Sequence, residues 1–164
     1  MPAKGQEVDK STAPKSGKLS FLASVHGQYT YAGFGQYNSL NIRYRRWEME
    51  AGVVWQMNYS QFEAPAIGPH LSFRYVALEN DQYAAWAALL VQYVAFQVPE
   101  TETSSGTAAF LQYGFDYRFH KTWALTSGVG FGLYQENFQI DANFGSFETS
   151  GISPFFQLGI KKSF

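Results

Sequence analysis

The stretch Ile152 to Phe164, ISPFFQLGIKKSF, alternates: Ile152, Pro154, Phe156, Leu158 and Ile160 share one parity and lead to Phe164. The other parity carries Ser153, Gln157, Gly159, Lys161 and Ser163. Successive side chains of a strand point to opposite faces, so this pattern predicts a strand with one apolar face. The same period recurs through most of the chain. Leu111, Tyr113, Phe115, Tyr117 and Phe119 alternate with Gln112, Gly114, Asp116, Arg118 and His120. Trp123, Leu125, Val129, Phe131 and Leu133 alternate with Thr126, Gly128, Gly130 and Gly132.

Working back toward the N-terminus, the first alternating run is Leu19, Phe21, Ala23, Val25, Gly27, Tyr29 and Tyr31 against Ser20, Ser24, His26, Gln28 and Thr30. Ala32 to Ser39 (AGFGQYNS) has the glycines of a loop, and Leu40, Ile42 and Tyr44 resume the alternation. The apolar parity then switches to Trp47, Met49, Ala51, Val53 and Trp55. A tight turn at Arg45 and Arg46 explains the switch, because it sets Tyr44 opposite Trp47, Arg43 opposite Glu48 and Ile42 opposite Met49. This register predicts a coupled Arg43–Glu48 pair. One unbroken strand from Tyr37 to Tyr59 would be about twice the ~10 residues that a tilted membrane strand needs.

Ser60 to His70, with its prolines and glycine, is expected to be a loop, and Leu71, Phe73, Tyr75 and Ala77 the next strand's apolar face. Glu79 to Gln82 (ENDQ) has the composition of a turn. Tyr83 to Phe96 is apolar on both parities; tyrosines at Tyr83 and Tyr93 bracket Ala85, Ala87, Leu89 and Val91, which favours a strand crossing between two interfaces. Pro99 to Thr107 and Asp141 to Gly151 are expected to be loops. Met1 to Lys18 is polar, Lys-rich and broken by Pro and Gly, the composition of a disordered tail. Met1 is followed by Pro-Ala-Lys-Gly without an apolar run, so the sequence reads as a mature chain without a signal peptide.

Eight strands joined alternately by short turns and longer loops, with an aromatic residue ending an alternating last strand, resemble small bacterial outer-membrane barrels of the OmpA/OmpX/OmpW type. The expected fold is therefore all-β, an eight-stranded antiparallel up-and-down transmembrane barrel over residues 19–164, preceded by the tail at 1–18. That resemblance implies an outer-membrane location with both termini periplasmic, contacts with membrane lipids and lipopolysaccharide, and a terminal Phe164 read by the outer-membrane assembly machinery. Lys162 departs from the pattern, since it stands where an apolar residue is usual.

A soluble barrel would turn the apolar parity inward. Here that parity carries no charge except Lys162 and is rich in Tyr, Trp and Phe, as a lipid-facing wall should be. Aromatic residues are 18% of the chain and charged ones 15%, which is too oily for a solvated surface. The cations fall in the tail, near the short turns or near the C-terminus, whereas the expected loops hold Glu63, Glu100, Glu102, Asp141 and Glu148 and no cation.

On the polar parity, Arg43, Glu48, Glu50, Arg74, Asp116, Arg118 and Lys161 are expected to form a paired lumen network, because buried charges need partners. Val54, Trp86, Leu90, Val94 and Phe96 form an inward apolar patch, a candidate pocket or simply lumen filling. Asp116, Arg118 and His120 share a strand face, but a nucleophile or metal to complete a catalytic site is missing from it. The histidines His26, His70 and His120 lie on separate strands without metal-ligand spacing, and cysteine is absent. No enzyme activity, cofactor, metal or nucleic-acid partner is expected, and the barrel is expected to be a monomer. Its expected role is structural or interactive through the loops; the alternatives are a narrow channel for small hydrophobic or cationic solutes and a membrane-embedded lipid-modifying enzyme.

Overall fold

The computed structural model describes residues 18–59, 64–97, 103–139 and 145–164. Eight antiparallel strands close into one barrel in sequence order: β1 (Leu19–Thr30), β2 (Gly33–Tyr44), β3 (Trp47–Tyr59), β4 (Ala64–Glu79), β5 (Tyr83–Gln97), β6 (Thr103–Arg118), β7 (Trp123–Gln139) and β8 (Ser146–Ser163). Closure is made by β8 against β1, from Leu22 opposite Ser163 to Tyr29 opposite Phe156. The last residue belongs to this seam, since the Phe164 N–H donates to Phe21 O at 3.0 Å.

The apolar parity faces outward on every strand. Phe115 is 51% exposed and Phe131 60%, while their strand neighbours Gly114, Asp116, Gly130 and Gly132 are on the inward face. The outward face is bounded at the turn end by Tyr44, Trp47, Tyr75, Tyr83, Tyr117 and Trp123. Ten residues along, Tyr93 and Leu133 mark the other boundary; at ~3.3 Å per residue and ~40° tilt the band is about 25 Å tall, the height of a bilayer's hydrocarbon core in such barrels. Lys162, the one cation on this face of the strands among the described residues, lies with its ammonium 5.3 Å from the Trp123 ring and 5.1 Å from the Phe164 ring. Both contacts hold the charge at the interface instead of within the band.

The hairpin at Arg45 and Arg46 forms as expected, in the expected register. Arg45 takes φ 56°, the left-handed conformation that two-residue hairpin turns require. Tyr83 to Gln97 is a strand, as its paired tyrosines suggested.

Four expected loops are largely strand. Residues 32–39 contain only the end of a two-residue turn, Tyr31 and Ala32, after which β2 starts at Gly33 with φ 99°. The sequence hid this strand because Gln36 and Asn38, polar residues, occupy its outward parity, while Tyr37 points inward. Of 60–70, residues 64–70 belong to β4, with Pro65 and Pro69 outward. Proline lacks an N–H, and the β4–β5 ladder is interrupted there, passing from Ile67/Ala95 to His70/Gln92. Likewise β6 begins at Thr103 and β8 at Ser146. Residues 1–17 of the tail and residues 60–63, 98–102 and 140–144 lie outside the described residues.

Candidate functional site

The inward face of the barrel is filled, and its chemistry changes with height. At the mouth beside the short turns, Glu79 accepts hydrogen bonds from both Arg43 and Arg118. Glu79 reaches this position through a bulge. In β4, Val76 pairs with Trp86 and Leu78 with Ala85, so Ala77 is an extra residue that resets the parity. Leu78 then faces outward and Glu79 faces the mouth, although simple alternation would place Glu79 outside.

The expected Arg43–Glu48 pair is therefore corrected. The two residues are opposite in register, but Arg43 turns to Glu79, and Glu48 turns deeper to Lys161 and Arg74. A double-mutant cycle on Arg43 and Glu79 should give a coupling of about 0.2–1 kcal/mol, the range for half-exposed pairs, and one on Arg43 and Glu48 a coupling near zero. The opposite ranking would reject this geometry.

Above the mouth lies a fully buried cluster of Glu48, Glu50, Arg74, Asp116 and Lys161. Lys161 Nζ donates to Glu48 Oε1 at 2.8 Å and to Asp116 Oδ2 at 3.1 Å. The Arg74 guanidinium lies 3.5 Å from Asp116 Oδ1 and 3.7 Å from both Glu48 Oε1 and Glu50 Oε2. Its flat face rests on Trp86, 3.9 Å from the ring, and the Trp86 indole N–H donates to Asp116 at 2.9 Å. Asn41 donates to Glu48 at 2.9 Å. The cluster thus draws on β3, β4, β6 and β8, and Trp86 of β5 covers it.

Five of the seven expected network residues meet in this cluster; Arg43 and Arg118 belong to the mouth. Sequence reasoning missed Glu79, because of the bulge, and it missed the histidines. His26 and His70 flank Glu50 at 3.9 and 3.6 Å. Tyr37 stacks on His26 at 4.4 Å and meets His70 edge-on at 4.7 Å. The signal was present in the inward parities of β1, β2 and β4, but the loops assigned to 32–39 and 60–70 concealed two of them. His120 lies in the turn beside Thr122, away from Asp116, so no acid–cation–base line exists there.

Trp86 also explains the glycines of the neighbouring strands. A Cβ on Gly128 would lie 2.6 Å from the Trp86 ring, and one on Gly114 would also strike that ring. At Gly128 the indole in the narrow lumen is the nearest obstacle to a side chain, and at Gly114 the Ser127 carbonyl of β7 stands closer still.

Higher still, glutamines form a middle layer: Gln28 donates to Gln92 at 3.4 Å, and Tyr37 donates to Gln157. Beyond them the lumen is apolar. Val54, Leu90, Val94 and Phe96 pack with Phe110, Phe138 and Phe155, all buried. Of the candidate pocket, Trp86 lies apart, in a separate apolar group with Val76, Ala84 and Ala88 and against Arg74 of the charged cluster. The remaining four residues fill space instead of lining it, with the Phe110 and Phe155 rings 4.9 Å apart from the strands on either side of β7. Sequence alternation omitted Phe155, which is completely buried on the inward parity of β8.

No family model and no curated protein matches this chain. Among solved structures, the chain is similar to the N-terminal β-barrel domain of Pseudomonas aeruginosa OprF, with 10% identity and a TM-score of 0.58 over 91% of this chain and 100% of that one. It is similar to the outer membrane protein AlkL in lipid bilayers, with 15% identity and a TM-score of 0.57 over 100% of this chain and 95% of that one. It is similar also to Neisserial surface protein A, with 12% identity and a TM-score of 0.52 over 89% and 97%. The shared property is the fold, a closed eight-stranded barrel of the outer-membrane kind.

Proposed function

We propose that this chain is a sealed outer-membrane barrel that acts through its external rim, with both termini on the periplasmic side. The observation that supports this reading is the filled lumen. A charged cluster blocks the lower half and an apolar one the upper half, so the described barrel offers no continuous path for a solute. The outward apolar band and its aromatic borders support insertion in a bilayer. Cations gather at the short-turn end, where Arg43, Arg45, Arg46, Arg118, Lys121 and Lys162 all lie. In this reading the opposite, acidic end meets the exterior.

The role is structural or interactive, not catalytic and not conductive. What remains for function is the end opposite the short turns, reached by β7 and β8, the two longest strands. Insertion into planar bilayers should raise no stepwise conductance above the bare membrane at neutral pH. A steady pore current from the folded protein would overturn the sealed-barrel reading and restore the narrow channel.

A further inference from the structure

The closing seam is much shorter than the ladder on the other side of β8. Pairing with β1 ends where Tyr29 meets Phe156, because β1 turns back at Tyr31 and Ala32. Pairing with β7 continues ten residues further, to Gln139 opposite Ser146. Among the described residues, no strand pairs with β8 on its β1 side between Ser146 and Phe155.

The direction of the free groups follows from two hydrogen bonds at the other end of the strand. Ser163 N–H donates to Thr122 O on the β7 side, and Phe164 N–H donates to Phe21 O on the β1 side. Backbone groups of successive residues in an antiparallel strand point to opposite neighbours, and the β7–β8 register runs without a shift. The even-numbered residues therefore face the open side. Ser146, Glu148, Ser150 and Ile152 offer N–H and C=O groups there; Pro154, which has no N–H, ends the free row next to the seam.

An open edge of this kind is usually guarded by lysine, proline or a bulge. From Ser146 to Ser153 the strand has none of these. Its one charge is Glu148, and the described residues of this rim include no Lys or Arg. Resting on the rim-interaction reading above, we infer that the free edge of β8 is a docking site for an extended, lysine- or arginine-bearing polypeptide segment of a partner protein, which joins the barrel as an added strand. The backbone groups supply the pairing, as in strand addition generally. Glu148 selects for cationic side chains, and it disfavours a second copy of this acidic edge, because the same strand on a partner would bring its own Glu148.

The test uses the full chain refolded in lipid vesicles and a fluorescent eight-residue peptide of alternating Lys and Val. Its binding should perturb the amide resonances of Ser146, Glu148, Ser150 and Ile152 more than those of Phe147 and Thr149. A peptide with Glu in place of Lys, and one with alternate backbone nitrogens methylated, should each bind about tenfold more weakly or worse, since each loses either the charge match or the ladder. Ser150→Pro removes an N–H from the open side only and should weaken the Lys peptide by a similar factor, with folding checked by the gel mobility of the unheated barrel. Glu148→Lys leaves the backbone intact and should reverse the preference between the Lys and Glu peptides. Absence of binding at millimolar peptide, or binding indifferent to methylation and to both substitutions, would overturn the inference. Self-association abolished by Ser150→Pro would assign the edge to a second copy and overturn it too. A pore current would overturn the sealed-barrel reading while leaving this test to stand by itself, and a closed barrel that ignores the peptide would overturn only the docking site.

Discussion

Arg74→Ala is expected to destabilise the barrel by about 3–5 kcal/mol, the cost of breaking a buried ion pair on one side only. The guanidinium approaches Glu48, Glu50 and Asp116 together, and no water-exposed surface lies near enough to replace it. Without it Glu48 and Asp116 share the single ammonium of Lys161, and Glu50 keeps only Ser24, Ser39 and the two histidines beside it. The loss is larger than the sum of weak contacts because each unpaired carboxylate keeps its desolvation cost. Arg74→Lys should recover only part of the stability, since an ammonium can neither reach three carboxylates in a planar fork nor stack as well on Trp86. Urea unfolding of vesicle-inserted protein measures both variants. An Arg74→Ala midpoint equal to that of the parent chain would mean that the lumen is hydrated and the cluster is not a plug.

Val129→Arg is the second large effect, at about 2–4 kcal/mol, the cost of a cation near the bilayer midplane on the lipid face. Val129 stands six residues above Trp123 on β7, opposite Tyr113 and Phe156, near the middle of the apolar band. The penalty should fall with height on the same strand: Gln135→Arg, beyond the band, is expected to cost less than about 1 kcal/mol by the same depth dependence. Leu111→Arg on β6, six residues from the boundary residue Tyr117, is expected to match Val129→Arg. A soluble barrel with water on this face would show little change for any of the three, in line with the small effects of ordinary surface substitutions.

The strands most legible in the sequence were those whose two faces differ most. The lower parts of β6 and β8 read directly, because Phe115 and Leu158 alternate with Asp116 and Gln157. β5 was harder, since the lumen in its upper half is itself apolar; Leu90 and Leu89 look alike in sequence yet face opposite ways. The first part of β2, Gly33 to Ser39, was missed for the converse reason, with Gln36 and Asn38 outward and bonded to each other at 3.1 Å. Proline and glycine misled at 65–69, where they mark an interrupted ladder in a continuing strand.

The lumen network was legible as a set of residues but not as a set of pairs. Parity identifies which charges face inward, and Glu48, Glu50, Arg74, Asp116 and Lys161 do. Parity cannot foresee a bulge, and one extra residue at Ala77 brought Glu79 to Arg43 and Arg118 and left Glu48 free for Lys161. Nor does alternation say how far a side chain reaches across a narrow barrel, which is why the meeting of His26, Glu50 and His70 became visible only in three dimensions.

The central claim, that the apolar parity meets lipid and the polar parity is sealed within, is tested most directly by the four native tryptophans. Trp47, Trp55 and Trp123 face outward at 47%, 49% and 38% exposure, and Trp86 faces the lumen at 3%. Single-tryptophan chains, with the other three changed to Phe, are refolded into vesicles containing lipids brominated along the acyl chain, and the quenching of each is read. The account predicts strong quenching of Trp47, Trp55 and Trp123, each greatest for bromines near the ester end, and little quenching of Trp86 at any depth. Trp86 quenched as strongly as the others, or all four indifferent to bromine, would contradict it.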